Sequence, residues 1–173
     1  TPSNSSAASD VYKRQEYILL LTACINPDGM PFTCLADVGV RKKQYIEALN
    51  FYLKNTTRKI VFVENSGTDI SSSFKDFQHR IEFLCFDGNL CFDKRKGKGY
   101  GEALILEYAM AKSEFITDDV LIFKLTGRLQ LININRLIHY MDKLSPSKNF
   151  VCVVPPQNLS LIHISEPTRR RGI

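Results

Sequence analysis

The chain has 173 residues, 44% hydrophobic and 24% charged, with 23 Lys and Arg against 18 Asp and Glu. That is enough for one domain with a real core. No apolar run approaches the ~18 residues of a transmembrane helix, and the five cysteines, Cys24, Cys34, Cys85, Cys91 and Cys152, fall at no metal-ligand spacing. Cys24, Cys85 and Cys152 lie in apolar runs and are expected to be small buried hydrophobes of a reducing compartment.

Residues 1–15 come first in chain order and are set aside before the fold is read. Asp10 to Gln15 (DVYKRQ) and Leu159 to Ile164 (LSLIHI) back-translate to GAT GTG TAT AAG AGA CAG and CTG TCT CTT ATA CAC ATC, which are reverse complements of one another. The relation resembles an inverted sequencing-library adapter read through at both ends of an insert. The expected division is therefore residues 1–15 and 159–173 as adapter-derived ends, and 16–158 as one α/β domain that is a fragment of a longer protein. Setting the ends aside removes Lys13, Arg14, Arg169, Arg170, Arg171, Asp10 and Glu166, so that 23 basic and 18 acidic residues become 18 and 16. A net charge of +5 becomes +2, which is no argument for a nucleic-acid or anionic-membrane partner.

The domain alternates strand and helix patterns. Tyr17 to Cys24 reads as a buried strand, followed by a loop broken by Pro27, Gly29, Pro31 and Gly39. Arg41 to Asn55 has helical spacing, with Tyr45, Ala48, Leu49 and Tyr52 inward. Ile60 to Val63 is a second buried strand that runs into the polar turn Glu64-Asn65-Ser66-Gly67-Thr68-Asp69. Ser72 or Ser73 is expected to cap a short helix through Phe77, and Ile81 to Phe86 is a third strand. A polar segment, 87–99, leads to a helix over Tyr100 to Phe115 with Ala103, Leu106, Ala109 and Met110 on its inner stripe. Asp119 to Leu125 is a fourth strand, Asn135 to Lys143 a helix with Leu137, Ile138 and Met141 inward, and Phe150 to Val154 a fifth strand. Strand and helix in alternation predict a mostly parallel, Rossmann-like sheet with helices on both faces.

In such a sheet ligands bind beyond the carboxyl ends of the strands. Three strand ends reach that edge: Thr22-Ala23-Cys24-Ile25-Asn26-Pro27, Glu64 to Asp69, and Lys124-Leu125-Thr126-Gly127-Arg128. The glycine-rich turn Lys96-Gly97-Lys98-Gly99-Tyr100-Gly101-Glu102 opens a helix nearby, and backbone N–H groups there suit an anion. It is no Walker loop, since no Gly-Lys-Ser/Thr follows, and it fits a dinucleotide fingerprint poorly. Lys124 and Arg128 around Thr126-Gly127 can neutralise a diphosphate without metal; Arg128 can equally pair with Glu102 or Asp69. Asp37 and Arg41 flank the first helix, as a cap and a surface charge or as nucleotide contacts. His79 and His139 have no nucleophile partner.

This order of motifs resembles the GT-A-type glycosyltransferases, in the form found in bacterial capsule and lipopolysaccharide synthesis. In that family the second strand ends in a turn, commonly Asp-x-x-Ser-x-Asp, that holds the nucleotide of a sugar-nucleotide donor. The fourth strand usually ends in a metal-binding Asp-x-Asp. Here the Lys124 to Arg128 segment stands in that place, which puts a divalent metal in doubt. The resemblance implies a nucleotide-sugar donor held by Thr22, Ala23, Pro27, Arg41, Glu64, Asn65, Ser66, Lys98, Gly99, Gly101 and Glu102. It gives the diphosphate to Lys124, Thr126, Gly127 and Arg128. It also implies a glycan or lipid-linked acceptor, no nucleic acid, and a cytoplasmic enzyme at the inner face of the cytoplasmic membrane. The acceptor site and general base would lie beyond Asn158, so that this chain would bind donor without turnover. Two other readings stand beside it. One is a module gripping RNA or another polyanion through Asp93 to Lys98. The other is a sugar nucleotidyltransferase, which normally has a glycine-rich basic loop after its first strand, where this chain has only Gly29 within the loop and Gly39 at its end, and no lysine before Arg41.

Overall fold

A computed structural model describes residues 16–28, 30, 33–88, 93–118 and 120–141. The adapter-like ends, the expected strand Phe150 to Val154, and Cys91 and Cys152 lie outside the described residues. Four strands, β1 (Tyr17–Ala23), β2 (Lys59–Glu64), β3 (Ile81–Cys85) and β4 (Leu121–Thr126), form one sheet in the order β3-β2-β1-β4, all parallel. The α-helices are α1 (Val38–Asn55), α2 (Gly97–Lys112) and α3 (Ile134–Met141), with short 3-10 segments at Ser71–Phe77 and Lys94–Lys96. The chain is thus α/β with a Rossmann-like parallel sheet, as its alternation predicts.

Every residue of β1 is buried, because β1 is an inner strand covered on both faces. Leu19 and Leu21 pack with Tyr45, Leu49 and Tyr52 of α1 and with Ile134 and Ile138 of α3. Ile18 and Leu20 face the other way, onto Ile105 and Ala109 of α2. Phe62 of β2 is 1% exposed and meets Tyr45 edge-on, with ring centroids 5.8 Å apart.

Asp37 starts α1 by accepting from the Val40 amide at 2.7 Å, so its role is that of an N-cap. At the other end Arg80 donates to Leu53 O (3.1 Å), Thr56 O (2.7 Å) and Arg58 O (3.2 Å), a cation on carbonyls left open at a helix C-terminus.

Several local expectations are corrected. The buried stripe of α2 is Gly101, Ile105 and Ala109, while Met110 is 55% exposed and Ala103 is exposed. Gly101 and Ala109 each stand four residues from Ile105, so the three share one helix face. In α3 Ile138 is buried as expected and Ile134 is buried with it, while Leu137 is only half-buried; the Met141 side chain lies outside the described residues. The 3-10 segment begins at Ser71 with Ile70 as its N-cap residue, not a serine; the Asp69 carboxylate before it takes the Ser71 amide at 2.7 Å and hydroxyl at 2.9 Å. Cys24 is half-buried and Cys85 exposed; both follow or end strands at the open rim, and β3 is an edge strand. No helix among the described residues is long and apolar enough to cross a membrane.

Truncating Phe62 removes the ring that joins α1 to the sheet's centre. Phe62→Ala is expected to cost about 3–5 kcal/mol, measured as a fall in the denaturation midpoint with an unchanged slope.

Candidate functional site

In the order β3-β2-β1-β4 the chain leaves β1 toward β2 on one side, and β4 joins on the other. Strand connections diverge at this switch point, and a crevice opens beyond the strand ends there. A cavity of about 440 Å³ lies there, with Thr22, Ala23 and Cys24 of the β1 end, Asn65 after β2, and Thr126 and Arg128 of the β4 end in its wall. Lys98, Gly101 and Glu102 close it from the start of α2.

The wall is set by three buried polar groups. Arg41, 6% exposed, donates through Nε to Cys24 O (2.9 Å) and Ile25 O (3.1 Å) and through Nη1 to Leu35 O (3.1 Å); Nη2 adds a further bond to Cys24 O. One guanidinium therefore ties the β1 exit to residue 35, across the loop. The Tyr45 hydroxyl accepts from the Cys24 amide at 2.9 Å. Burial pushes the Tyr45 phenol above its ordinary pKa, which keeps it a neutral donor and acceptor. Glu64, 1% exposed, accepts from the amides of Ile25 (2.8 Å), Ser66 (2.9 Å) and Thr68 (2.9 Å), and from the Ser66 hydroxyl. Asn26 N donates in turn to Ser66 Oγ at 2.9 Å.

Glu64 and Ser66 are thus occupied in shaping the rim and do not line the cavity. Gly127 does not line it either. Its amide donates to Thr22 O at 2.9 Å, and an added Cβ would stand 2.9 Å from Thr22 O and 3.2 Å from the Tyr45 ring, so glycine is there for close approach. Gly99 lies inside α2, which begins at Gly97, and a Cβ there would meet nothing within 4 Å. The residue that needs to be glycine is Gly97, at φ +78°.

Lys124 sits two residues short of the β4 end, opposite Leu20, and points to the α2 side of the sheet. Its Nζ lies 2.5 Å from Glu102 Oε1, the oxygen that also accepts from Thr22 Oγ1 at 2.7 Å. It reaches the cavity only through Glu102. Arg128, which that carboxylate was a candidate to hold, donates from Nη1 to Gln44 Oε1 at 3.2 Å, and its buried Nε has no acceptor among the described residues. Asn65 Oδ1 is likewise buried without a donor.

The structure brings together Thr22, Ala23, Pro27, Arg41 and Asn65 with Lys98, Gly101, Glu102, Thr126 and Arg128 around one cavity. Glu64, Ser66 and Gly99 lie outside its lining, as do Lys124 and Gly127. Sequence reasoning missed Tyr45, which reads only as a core position, together with Ile105 and the loop residues Met30, Thr33, Cys34 and Leu35. Cys24 was placed in the core, yet its side chain lines the cavity; burial raises its thiol, with Arg41 pulling the other way.

No group of three or more His, Cys, Asp or Glu among the described residues is arranged to hold a metal. The wall residues fit a divalent cation poorly, since its one carboxylate, Glu102, is already bound to Lys124, and the neighbouring charges are cationic. The chain matches no family model, no curated protein and no solved structure with which it was compared.

Glu64→Ala strands three backbone donors, so it is expected to destabilise the fold by about 3–5 kcal/mol, read from chemical denaturation. The Cys85 thiol is pushed up to about 11, first by the shielding of its sulfur and then by the Glu64 carboxylate, 3.7 Å away. Its folded-state value lies above the ordinary 9.0, so the unfolded thiol ionises first. The stability tied to it is complete below pH 9 and lost as pH rises toward 11. Alkylation followed by mass spectrometry at pH 8 should modify Cys34 well before Cys85.

Proposed function

We propose that this domain holds a nucleotide-sugar donor through its diphosphate, as the donor-binding part of a GT-A-type glycosyltransferase that builds a cell-surface glycan. The observation that carries the reading is Arg128. A guanidinium with a single acceptor among the described residues, its Nε buried and unsatisfied by them, lines a cavity at the switch point of a parallel sheet. Buried donors are normally paired, so one left open in a cavity wall marks the place of an acceptor-rich ligand. A diphosphate supplies that acceptor in a geometry suited to a guanidinium fork.

The surroundings support the same chemistry. Lys98, Gly101 and Glu102 line the cavity from the N-terminal part of α2, and the positive end of a helix favours negative charge. About 440 Å³ lies within the roughly 300–1,000 Å³ usual for small-molecule sites. With no carboxylate pair at the β4 end, the developing charge on a departing nucleoside diphosphate would fall to Arg128 and the helix start. Catalysis would rest on positioning and fixed electrostatics. Under this reading the acceptor is a glycan or lipid-linked molecule at the inner face of the cytoplasmic membrane.

The polyanion reading finds less support. In the basic run, Arg95 is held by Asp93 at 2.9 and 3.0 Å, and the Lys96 ammonium lies over the Tyr100 ring, 4.5 Å from its centroid. Those cations are turned toward their own neighbours.

Calorimetry with UDP, ADP, GDP and CDP and their common sugar conjugates tests the proposal. At least one is expected to bind, equally well with and without EDTA, and Arg128→Ala is expected to weaken it by about 10–100-fold, the worth of a charged hydrogen bond. Absence of binding by every ligand at millimolar concentration overturns it.

A further inference from the structure

Among the described residues Glu102 is the one carboxylate in the lining of the cavity, and its two oxygens are used unequally. Oε1 accepts from Thr22 Oγ1 at 2.7 Å and from Lys124 Nζ at 2.5 Å, which fills both of its lone pairs. Oε2 accepts from no donor among the described residues, and a carboxylate oxygen has room for two. The Lys124 ammonium balances the charge, while Arg128 and Lys98 make the rest of the wall cationic. A cationic ligand is therefore disfavoured, although an acceptor is waiting for donors. Neutral hydroxyls meet both conditions.

We infer that Glu102 recognises a vicinal diol of the bound ligand, both hydroxyls donating to Oε2, and so acts as a specificity-determining residue of this pocket. The inference rests on the proposed nucleotide-sugar reading and adds which ligands within that class are accepted. A phosphate group has acceptors but no donors to offer, so it cannot satisfy Glu102. The diol must come from the ribose or from the sugar being carried. Thr22 and Lys124 are positioning residues here: by saturating Oε1 they fix the carboxylate plane and leave one oxygen turned to the ligand. Thr22 is 3% exposed at the end of the most buried strand, so this orientation is anchored in the core. The rigid support also explains why a lysine stands near the β4 end without reaching the cavity itself.

The test is calorimetry on the full chain with the nucleoside diphosphate that binds best, its 2′-deoxy counterpart and its sugar conjugate. It is run on the wild type, Glu102→Gln, and the charge-balanced Glu102→Gln/Lys124→Met pair. Thermal melting of each variant establishes that it is folded. The readout is a ratio of affinities, so a general change in phosphate attraction cancels. If the ribose supplies the diol, the wild type should prefer the ribonucleotide by about 10-fold or more, and both variants should bring that ratio to within about 3-fold. If the carried sugar supplies it, the deoxy ratio stays near one, while the advantage of the conjugate over the bare diphosphate falls by a similar factor in both variants. Binding that is retained with both ratios untouched by either variant overturns the role of Glu102 and leaves the nucleotide-sugar reading standing. Failure of every ligand to bind the wild type overturns both.

Discussion

The open rim of this sheet depends on a buried carboxylate. Glu64 is the last residue of β2, and its side chain turns inward at 1% exposure, where an unpaired charge would cost several kcal/mol. It is held there by three backbone amides and a hydroxyl. Ile25 N belongs to the loop after β1, and Ser66 N and Thr68 N belong to the turn after β2. One side chain therefore sets the relative position of two neighbouring strand exits. Loops usually gather at the surface because their backbone groups need partners. Here some of those partners are supplied from within, so that the rim has a fixed shape without a ligand.

Arg41 and Tyr45 do the corresponding work one layer away. Both project from α1 onto the Cys24 peptide, one taking its carbonyl and the other its amide. Tyr45 also walls the cavity and crowds Gly127, whose amide bonds Thr22 O. The exits of β1 and β4 are thus drawn together by one helix, and only a residue without a Cβ passes between them. The β1 exit is fixed by Glu64 on one side and by α1 on the other. Arg128, just past Gly127, is carried into the cavity wall by the same close approach.

The alternation of apolar runs and 3.6-residue stripes made the strands, their parallel pairing and both helical layers legible, because burial on two faces writes a continuous apolar run such as Tyr17 to Ala23. The phase of α2 was not legible. Ala103 and Met110 satisfy a helical period with Leu106 and Ala109 as well as Gly101 and Ile105 do, and only the contact with Ile18 and Leu20 chooses between them. The site was legible as a place, since polar residues followed buried strands. The division of labour within it was not. A glutamate that binds a ligand and one that binds its own loop amides look alike in one dimension, and so do a glycine that meets a phosphate and one that passes a tyrosine. Arg41 had the commonest appearance of all, a charge on a helix. Its burial follows from loop carbonyls that become its neighbours only when the chain folds. Cys85 reversed in the other direction, since an apolar run says nothing about whether its last residue sits on an edge strand.

Under the proposed function, the Lys124–Glu102 pair gives the absence of a carboxylate pair at the β4 end a physical logic. Where that reading would otherwise expect acids for a metal, this chain has a lysine whose charge is met by an acid from α2, 2.5 Å away. The pair is roughly neutral as a unit and only about a quarter exposed. It therefore adds little net field to the cavity, and Arg128 and the helix start are left to set the sign there. Removing either partner alone would do more than delete a contact. A lone Glu102 would oppose an anionic ligand, and a lone Lys124 would add a cation with no shape to its preference. Kept together, they hold a carboxylate beside a phosphate-friendly wall at small electrostatic cost. Under the proposed function that combination is what a ligand with a diphosphate at one end and hydroxyls at the other requires.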